Sequence, residues 1–514
     1  MSTLTTGKHD GGRVTDIRYA RAARRTGPLP LSTRLFQGIG ALPDTWKNFA
    51  FNTFLLFYYN QVLGLTASLA SAAIMIALVI DAITDPLVGS LSDHFRSRLG
   101  RRHPFMYASA LPLGITLYLA FSPPAGLGET GLFVWLTAFA VLVRTAMTFF
   151  VVPWNALFAE FTEDYNERTA VVTYRYVVGW LGGVAFTFLA WTFIFPSSPA
   201  YTPGHLNPAA YDIFAPVIGI AVAVAAFLTT HLTRREIPYL LQPDSGLSFS
   251  PMGAVREVLL ALKNRSFLWV FLAILFGGAV AGVSAALTIY MQTYFWGLNP
   301  EDLRWFVLSA FGAIFAFVLL GPLQRRFDKR AILLTCLTLN LLDGVIVVNL
   351  RLFDLLPANG TPLILPLLIF NAALSACLLT INGIIGASMI ADTLDEQELA
   401  TGRRQEGIFS SALSFSGKAT TGIGVFAGGL ILQHALGFPA GARPESLEPE
   451  MIFNLGLAAG VMVPLCNIIP ILLIRNYNLT RERYALLKNE LDAARTKRAS
   501  SAANLPENPL AQHG

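Results

Sequence analysis

Two aspartates, Asp81 and Asp85, lie in a stretch that otherwise has the composition of a lipid-buried helix, from about residue 65 to residue 91. They are four residues apart, so on an α-helix both carboxylates project from one face. A charge at bilayer depth costs about 3 kcal/mol or more, and a second like charge adds to that cost. The pair therefore needs a positive partner, which the spacing leaves open as a bound cation, a proton or a basic side chain of another helix.

The composition of the whole chain predicts a membrane protein. Of 514 residues, 54% are hydrophobic and 13% are charged, whereas average soluble domains carry about 25% charged residues. Apolar stretches long enough to cross about 30 Å of hydrocarbon recur along the chain. Helices satisfy their own backbone groups in lipid. We therefore predict an all-α membrane protein with twelve transmembrane helices in two pseudo-symmetric six-helix bundles.

A weak internal repeat supports the two halves. Short basic turns occur at equivalent places, at 89–102 after the second expected span and at 321–330 after the eighth. Within the longest polar interior segment, residues 252–262 have the composition of an amphipathic surface helix. The predicted organisation is a disordered basic cytoplasmic tail at 1–34, a first bundle at 35–232, a cytoplasmic linker at 233–265, a second bundle at 266–475 and a cytoplasmic tail at 476–514.

Basic residues indicate the topology. Most of the 37 lysines and arginines fall in tails and loops that alternating spans place on one side of the membrane. The exceptions are Arg304, Arg351 and Arg443 in loops of the other side, and Lys47, Arg144, Arg175 and Lys418 within spans. The positive-inside rule then predicts cytoplasmic termini. The expected location is the cell membrane, as a multi-pass protein of a bacterial cytoplasmic membrane, without a cleaved signal peptide.

Motifs spread over residues 35–480 form one set. Asp81-Ala82-Ile83-Thr84-Asp85-Pro86 is followed by the turn Arg96-Ser97-Arg98-Leu99-Gly100-Arg101, and further on come Val152-Pro153-Trp154, Met389-Ile390-Ala391-Asp392-Thr393-Leu394-Asp395 and Lys418. This set resembles the glycoside–pentoside–hexuronide:cation symporters of the major facilitator superfamily. The resemblance implies the twelve-helix facilitator fold and symport of a small solute with a cation.

The resemblance also implies a cation site. It comprises Asp81 and Asp85 with hydroxyls of Thr148 and Thr84, and oxygen ligands of this kind suit a hard cation. Na⁺ or H⁺ is therefore the expected coupling ion, with the two aspartates as candidate Na⁺ ligands, and no other cofactor is expected. Lys418 and Arg175 match coupling positions, where a base neutralises the carboxylates until a cation arrives. A purely structural counter-ion is the alternative for both.

The substrate positions depart from those of the family's galactoside carriers. Where those carriers have aspartates, this chain has Thr45 and Val151. Arg144 is added four residues before Thr148, on the same helical face. We expect Arg144 to bind an anionic or strongly polar group, with pairing to Asp81 or Asp85 as the alternative. The residues expected to bind substrate are Arg144, Arg175, Thr45, Val151, Trp154 and Asn155.

Two further sets of charged residues have expected roles. Lys47 follows Asp44 by three residues in the first span, which favours a local ion pair. Four residues near the first basic turn are expected to clamp helix ends and to gate the transport path. These gating residues are Asp93, Arg98, Arg101 and Arg102.

The leading prediction is a cation-coupled secondary symporter of a small polar solute, most readily a sugar, glycoside or sugar acid, acting as a monomer in the lipid bilayer. A lysophospholipid/cation symporter of the same fold is the first alternative. A non-transporting membrane sensor is the second. The chain has no phosphate-binding loop and no nucleophile with a matching base, so no enzymatic activity is expected. The excess basic charge lies in loops and tails, where it sets the topology, so no nucleic-acid partner is expected.

Overall fold

The computed structural model describes residues 19–21, 27–95, 97–162, 164–243, 264–401 and 406–503. Long helices dominate it, with one short antiparallel ribbon between β1 (Tyr19–Arg21) and β2 (Leu241–Pro243). The helices are α1 (31–62), α2 (Ala67–His94), α3 (His103–Ala120), α4 (Glu129–Phe161), α5 (165–194), α6 (208–239), α7 (Arg265–Phe295), α8 (Pro300–Arg326), α9 (Lys329–Leu352), α10 (Ile364–Thr401), α11 (406–435), α12 (Pro449–Ile474) and α13 (Arg481–Ala503).

Nine of the described helices are long and apolar enough to cross a membrane, judged by length and composition. They are α2, α4 to α10 and α12. Of the three other predicted spans, α1 begins with a polar segment and is interrupted at Gly40–Ala41, α3 has only 18 residues, and α11 borders residues outside the described ranges. The prediction of a helical, multi-pass membrane protein is confirmed, and the count of twelve spans stays a prediction.

The two halves, α1–α6 and α7–α12, meet along closely packed helices. Within the first half α4 packs on α2 and α3, and within the second α10 packs on α8 and α9. Between the halves, α2 packs along α11. A Cβ atom at Gly429 of α11 would lie 1.9 Å from the Ser71 hydroxyl of α2, so a larger residue would force the helices apart. This contact brings the aspartates of α2 next to α11.

The bundle has two distinct ends. We call the end with the turns at 97–102 and 327–328 the basic end, and the opposite end, where α1 and α7 finish, the closed end. Both helices finish there in a π-helical turn, Tyr58–Val62 in α1 and Met291–Phe295 in α7. Each turn is followed by a glycine with positive φ, Gly64 at 80° and Gly297 at 62°. Glycine adopts this conformation without strain, so it ends both helices at matching places.

A buried polar network seals the closed end between the halves. Tyr290 donates a hydrogen bond to Asn60 Oδ1 at 2.8 Å, and Tyr294 donates to Gln61 Oε1 at 2.9 Å. The Gln61 amide also donates to the Pro439 carbonyl at 3.1 Å. These four side chains are no more than 5% exposed. Because buried polar groups lose much when a partner is removed, opening this end requires all of these bonds to exchange for water.

His205 adds a contact to the same seal from the loop between α5 and α6. Its ring Nε2 lies 2.8 Å from the Thr293 hydroxyl of α7. Complete burial lowers the pKa of His205 to about 3. The imidazole is therefore neutral across the physiological range, and the seal does not depend on its protonation.

The structure corrects the predicted ends of the chain. Helix α1 begins at Leu31, inside the segment 1–34 that was expected to be disordered. Leu29 is buried, and Thr33 donates a 2.6 Å hydrogen bond to Glu236 at the end of α6. The missing signal was this long-range partner, which a search for apolar runs does not detect. The other residues of the expected tail, except β1 and residues 27–30, lie outside the described residues.

The segment expected as a C-terminal tail contains a docked helix. Tyr484 of α13 donates to Asp395 Oδ2 at 2.7 Å, and the Arg495 guanidinium binds Glu398 at 2.9 and 2.6 Å. Both acids lie in the last two turns of α10, which ends at Thr401. The amphipathic helix predicted at 252–262 lies outside the described residues.

Candidate functional site

The carboxylates of Asp81 and Asp85 converge on one hydroxyl of α4. Thr148 Oγ1 lies 2.9 Å from Asp81 Oδ1 and 3.0 Å from Asp85 Oδ1. The hydroxyl has one proton, so it donates to one acceptor at a time, either of the two carboxylates or the Arg144 backbone carbonyl 3.1 Å away. The i, i+4 spacing on α2 and the close packing of α4 thus gather three oxygen-bearing side chains at one point.

Two basic side chains complete the cluster. Lys418 Nζ, from α11, lies 2.8 Å from Asp81 Oδ2 and 2.5 Å from Asp85 Oδ2. Arg144 Nη1, from α4, lies 3.5 Å from Asp81 Oδ2. Two carboxylates therefore face two bases, and the formal charge of the cluster is zero. The Asp81 and Arg144 side chains are 9% and 11% exposed, against 24% for Asp85 and 30% for Lys418, so Asp85 and Lys418 form the accessible side.

The local structure of α2 explains part of this arrangement. Pro86 has no backbone N–H, so the Ala82 carbonyl loses its helical partner and stays available as an oxygen. Thr84, an expected cation ligand, donates its hydroxyl to the Asp81 backbone carbonyl at 3.1 Å. Its hydroxyl is thus occupied within the helix, and the structure does not bring it to the two carboxylates.

Arg144 belongs to the carboxylate cluster in this structure. Besides pairing with Asp81, its guanidinium lies 5.5 Å from the centre of the Phe51 ring. It does not line either of the two cavities described below. This placement favours pairing with the aspartates, the alternative considered from the sequence, over the expected contact with substrate.

A cavity of about 490 Å³ between α1, α4 and α5 collects the other expected substrate residues. We call it the basic-end cavity. Its lining includes Thr45, Val151, Trp154, Asn155 and Arg175. The Arg175 guanidinium stacks 3.8 Å above the Trp154 ring and donates to Asn155 Oδ1. Arg175, also an expected coupling residue, therefore lies with the substrate residues and apart from Lys418.

The position of Trp154 is fixed by Gln37. The indole N–H donates to the Gln37 carbonyl at 3.1 Å, and the Gln37 amide donates to the Trp154 carbonyl at 2.9 Å. Gln37 is fully buried and lies in the first turns of α1. The reciprocal pair holds the indole ring as a flat wall of the cavity, with the Arg175 guanidinium stacked on it.

Asp44 also lines the basic-end cavity. Lys47 Nζ lies 3.0 Å from Asp44 Oδ1, which confirms the predicted local pair, and Asn48 donates to Oδ2 at 3.0 Å. Asn48 was missed, although it lies one turn beyond Asp44 on the same face of α1. The cavity therefore contains one fixed carboxylate and one guanidinium, together with an indole face.

The expected gating residues form an ion-pair cluster at the basic end. Arg102 lies 3.2 Å from Asp93 and 2.5 Å from Glu160, and Arg101 lies 3.7 Å and 2.5 Å from the same two acids. Arg98 is exposed in the turn before them. Glu160 was missed. It lies in the last turn of α4, and in the sequence it opens the charged segment that leads to α5. The gating role of the four predicted residues stays a prediction.

The fold and these sites define a class, the major facilitator transporters. The crystal structure of the nucleoside transporter NupG superposes with a TM-score of 0.58 at 12% identity, covering 87% of this chain and 98% of that one. The family model described as MFS/sugar transport protein matches residues 36–481. The chain belongs to this MFS/sugar transport family.

Two curated relatives are similar over most of their length. The putative glycoside/cation symporter YagG of Escherichia coli is 24% identical over 471 residues, covering 90% of this chain and 95% of the relative. The isoprimeverose transporter of Lactiplantibacillus pentosus is 26% identical over 410 residues, covering 77% and 80%.

Proposed function

We propose that this protein is a cation-coupled symporter that carries a sugar or glycoside across the membrane by alternating access. The observation that carries the proposal is the ion pair between the halves. Lys418 of the second half lies between Asp81 and Asp85 of the first half, next to the Thr148 hydroxyl. A cation that binds there must change the contact between the two parts of the protein that move.

Charge balance explains how binding and movement are coupled. With Lys418 and Arg144 in place the cluster is neutral, so an added Na⁺ or H⁺ would leave an excess positive charge at bilayer depth. Lys418 is the more exposed base and the one from the opposite half. Cation binding therefore displaces Lys418 and keeps Arg144. Release of Lys418 removes a bond between the halves and shifts the conformational equilibrium.

The basic-end cavity supports a sugar as the solute. Its carboxylate and guanidinium match the hydroxyl groups of a sugar, and the Trp180 side chain, which also lines it and is 37% exposed, offers an aromatic face for the apolar ring face. The two relatives are named for a glycoside and for isoprimeverose. A lysophospholipid is not favoured, because these names and the family description point to sugars. The buried network at the closed end corresponds to an inward-facing state if the basic end is cytoplasmic, as the positive-inside rule predicts.

We further propose that the protein acts without enzymatic activity, as a monomer with cytoplasmic termini. Arg175 and Thr45 contact the solute in the basic-end cavity, and the Asp93–Arg102 cluster holds the helix ends between transport steps. If the Thr148 hydroxyl serves as a cation ligand, the coupling ion is Na⁺. If coupling does not need this hydroxyl, the coupling ion is H⁺.

The test is solute accumulation in proteoliposomes under an imposed Na⁺ or proton gradient, using isoprimeverose and other glycosides. In the Asp85→Asn variant we expect cation-driven accumulation to fall to the equilibrium level, because the site loses a carboxylate and Lys418 loses one of its two carboxylate partners. Asp343→Asn is the matched control, since Asp343 is held by Asn371 and Ser375 within the second half. Gradient-driven accumulation by Asp85→Asn would refute the proposed coupling site.

A further inference from the structure

A second cavity, of about 530 Å³, lies between α1 and α5 of the first half and α7 and α8 of the second. We call it the closed-end cavity. It shares Thr45, Gly179 and Trp180 with the basic-end cavity, so the two adjoin along one path. Asp44 and Asn52, one from each cavity, are eight residues apart on α1, about 12 Å along the axis. This distance is longer than a single sugar ring.

Uncharged polar side chains from both halves line the closed-end cavity. Asn52 approaches from α1 and Gln292 from α7, and Thr53 and Thr187 also line the walls. Within the described parts of the chain, no hydrogen bond joins the Asn52 or Gln292 side-chain amide to another protein group. A primary amide offers two donors and an acceptor, and at membrane depth such groups are costly unless they are satisfied. These unused hydrogen-bond donors and acceptors indicate a polar ligand, or the water that such a ligand displaces.

The two cavities differ in charge. The basic-end cavity includes Asp44 and Arg175. The closed-end cavity has no Asp, Glu, Lys or Arg among its described lining residues, and its remaining walls are largely apolar, with Trp180 and Phe306 among them. Amides, hydroxyls and aromatic faces suit an uncharged sugar ring, whose hydroxyls need hydrogen bonds and whose C–H face packs on aromatic rings. A charged group would find no counter-ion there.

We propose that the closed-end cavity is a second sugar subsite and that the transported solute is a glycoside of at least two rings. One ring lies in the basic-end cavity at Asp44, Arg175 and Trp180. An uncharged second ring lies between Asn52 and Gln292. The inference rests on the proposed sugar symport and adds the size and polarity of its solute. Each cavity lies within the range of typical ligand pockets.

The test measures the binding of paired ligands to the purified full-length protein at saturating Na⁺ and at fixed pH. Each disaccharide of a panel that includes isoprimeverose is compared with its own constituent monosaccharides. For the wild type we expect the best disaccharide to bind at least about tenfold tighter than either of its rings. Asn52→Leu and Gln292→Leu should each weaken that disaccharide about fivefold to tenfold, as expected for lost neutral hydrogen bonds, and change monosaccharide binding less than about twofold.

Asn349→Leu is the matched control. The Asn349 amide donates to the Val345 carbonyl within α9, and the residue lies outside both cavities. An unchanged melting temperature and an unchanged Na⁺-induced shift check that each variant is folded. Equal losses for disaccharide and monosaccharide, or no loss, would overturn the second subsite while leaving symport intact. Absence of sugar binding that depends on Na⁺ or on pH, for every sugar in the panel, would overturn both the subsite and the proposed function.

Discussion

The carboxylate pair at Asp81 and Asp85 and the single carboxylate of Asp343 both lie within spanning helices, and they are compensated differently. Asp81 and Asp85 face Lys418 and Arg144 and share the Thr148 hydroxyl. Asp343 on α9 accepts hydrogen bonds from Asn371 and Ser375 of α10, each at 2.6 Å. Within the described residues no basic side chain pairs with Asp343.

The difference separates a site that can exchange partners from one that cannot. The first cluster joins α2, α4 and α11, so it changes when the two halves move. The second joins adjacent helices of a single half and keeps its geometry through such a movement. Ionisable side chains within membranes commonly mark transport pathways. This comparison indicates that the basic partner from the opposite half, more than the carboxylate itself, identifies the coupling site.

The largest expected effect comes from removing that partner. Lys418→Met keeps the length of the side chain and leaves two carboxylates against Arg144 alone. We expect cation affinity to rise at least tenfold, about 1.4 kcal/mol, because no base must be displaced. Solute accumulation should fall severely, since the cation no longer releases a bond between the halves. Cation titration of the purified protein and proteoliposome uptake measure the two effects.

Lys329→Met is the control for this variant. Lys329 also binds a carboxylate, that of Asp392 at 2.6 Å, but within the second half. We expect its cation affinity to equal that of the wild type. Weaker cation binding in Lys418→Met would contradict the displacement mechanism and would instead make the lysine a supporting element of the site.

A smaller effect is expected at the hydroxyl. Thr148→Val keeps the shape of the side chain and removes the oxygen between the two carboxylates. If Na⁺ is the coupling ion, its affinity should fall about fivefold to tenfold, since a neutral ligand or hydrogen bond contributes about 1 to 1.5 kcal/mol. Proton coupling needs no hydroxyl ligand and should be retained. Comparing uptake driven by Na⁺ and by a pH gradient therefore identifies the ion.

Thr84→Val is matched to that variant on α2. Its hydroxyl binds the Asp81 backbone carbonyl, so we expect less than about a twofold change in cation affinity. An effect as large as that of Thr148→Val would restore Thr84 as a ligand and would require its side chain to rotate toward the carboxylates when the cation binds.

Much of the cation cluster follows from spacing along single helices and from family resemblance. The structure brings together the two aspartates, Thr148 and Lys418, as the resemblance implies. It also places Arg144 there, four residues before Thr148 on α4. The partner of Arg144 was left open, because it depends on how closely α4 approaches α2. Spacing within α4 carries no information about that distance.

The closed-end seal shows why other parts could not be predicted. Asn60 and Tyr290 are separated by 230 positions, and each is an ordinary polar residue in its own helix. Their contact depends on the matching ends of α1 and α7, where π-helical turns shift the side chains from regular helical positions. A pattern with a fixed period cannot place side chains beyond such a turn.

The smallest effect is expected at Asp343, and it tests the comparison from the other side. Asp343→Asn keeps the shape of the side chain and retains one acceptor oxygen for Asn371 or Ser375. Because the contacts of Asp343 stay within the second half, the variant should accumulate solute like the wild type. Because an ionised carboxylate without a basic partner is costly at membrane depth, its melting temperature should match or exceed that of the wild type. A loss of cation-driven uptake at unchanged stability would instead make Asp343 a second coupling group, and a basic partner from the opposite half would no longer be required of such a site.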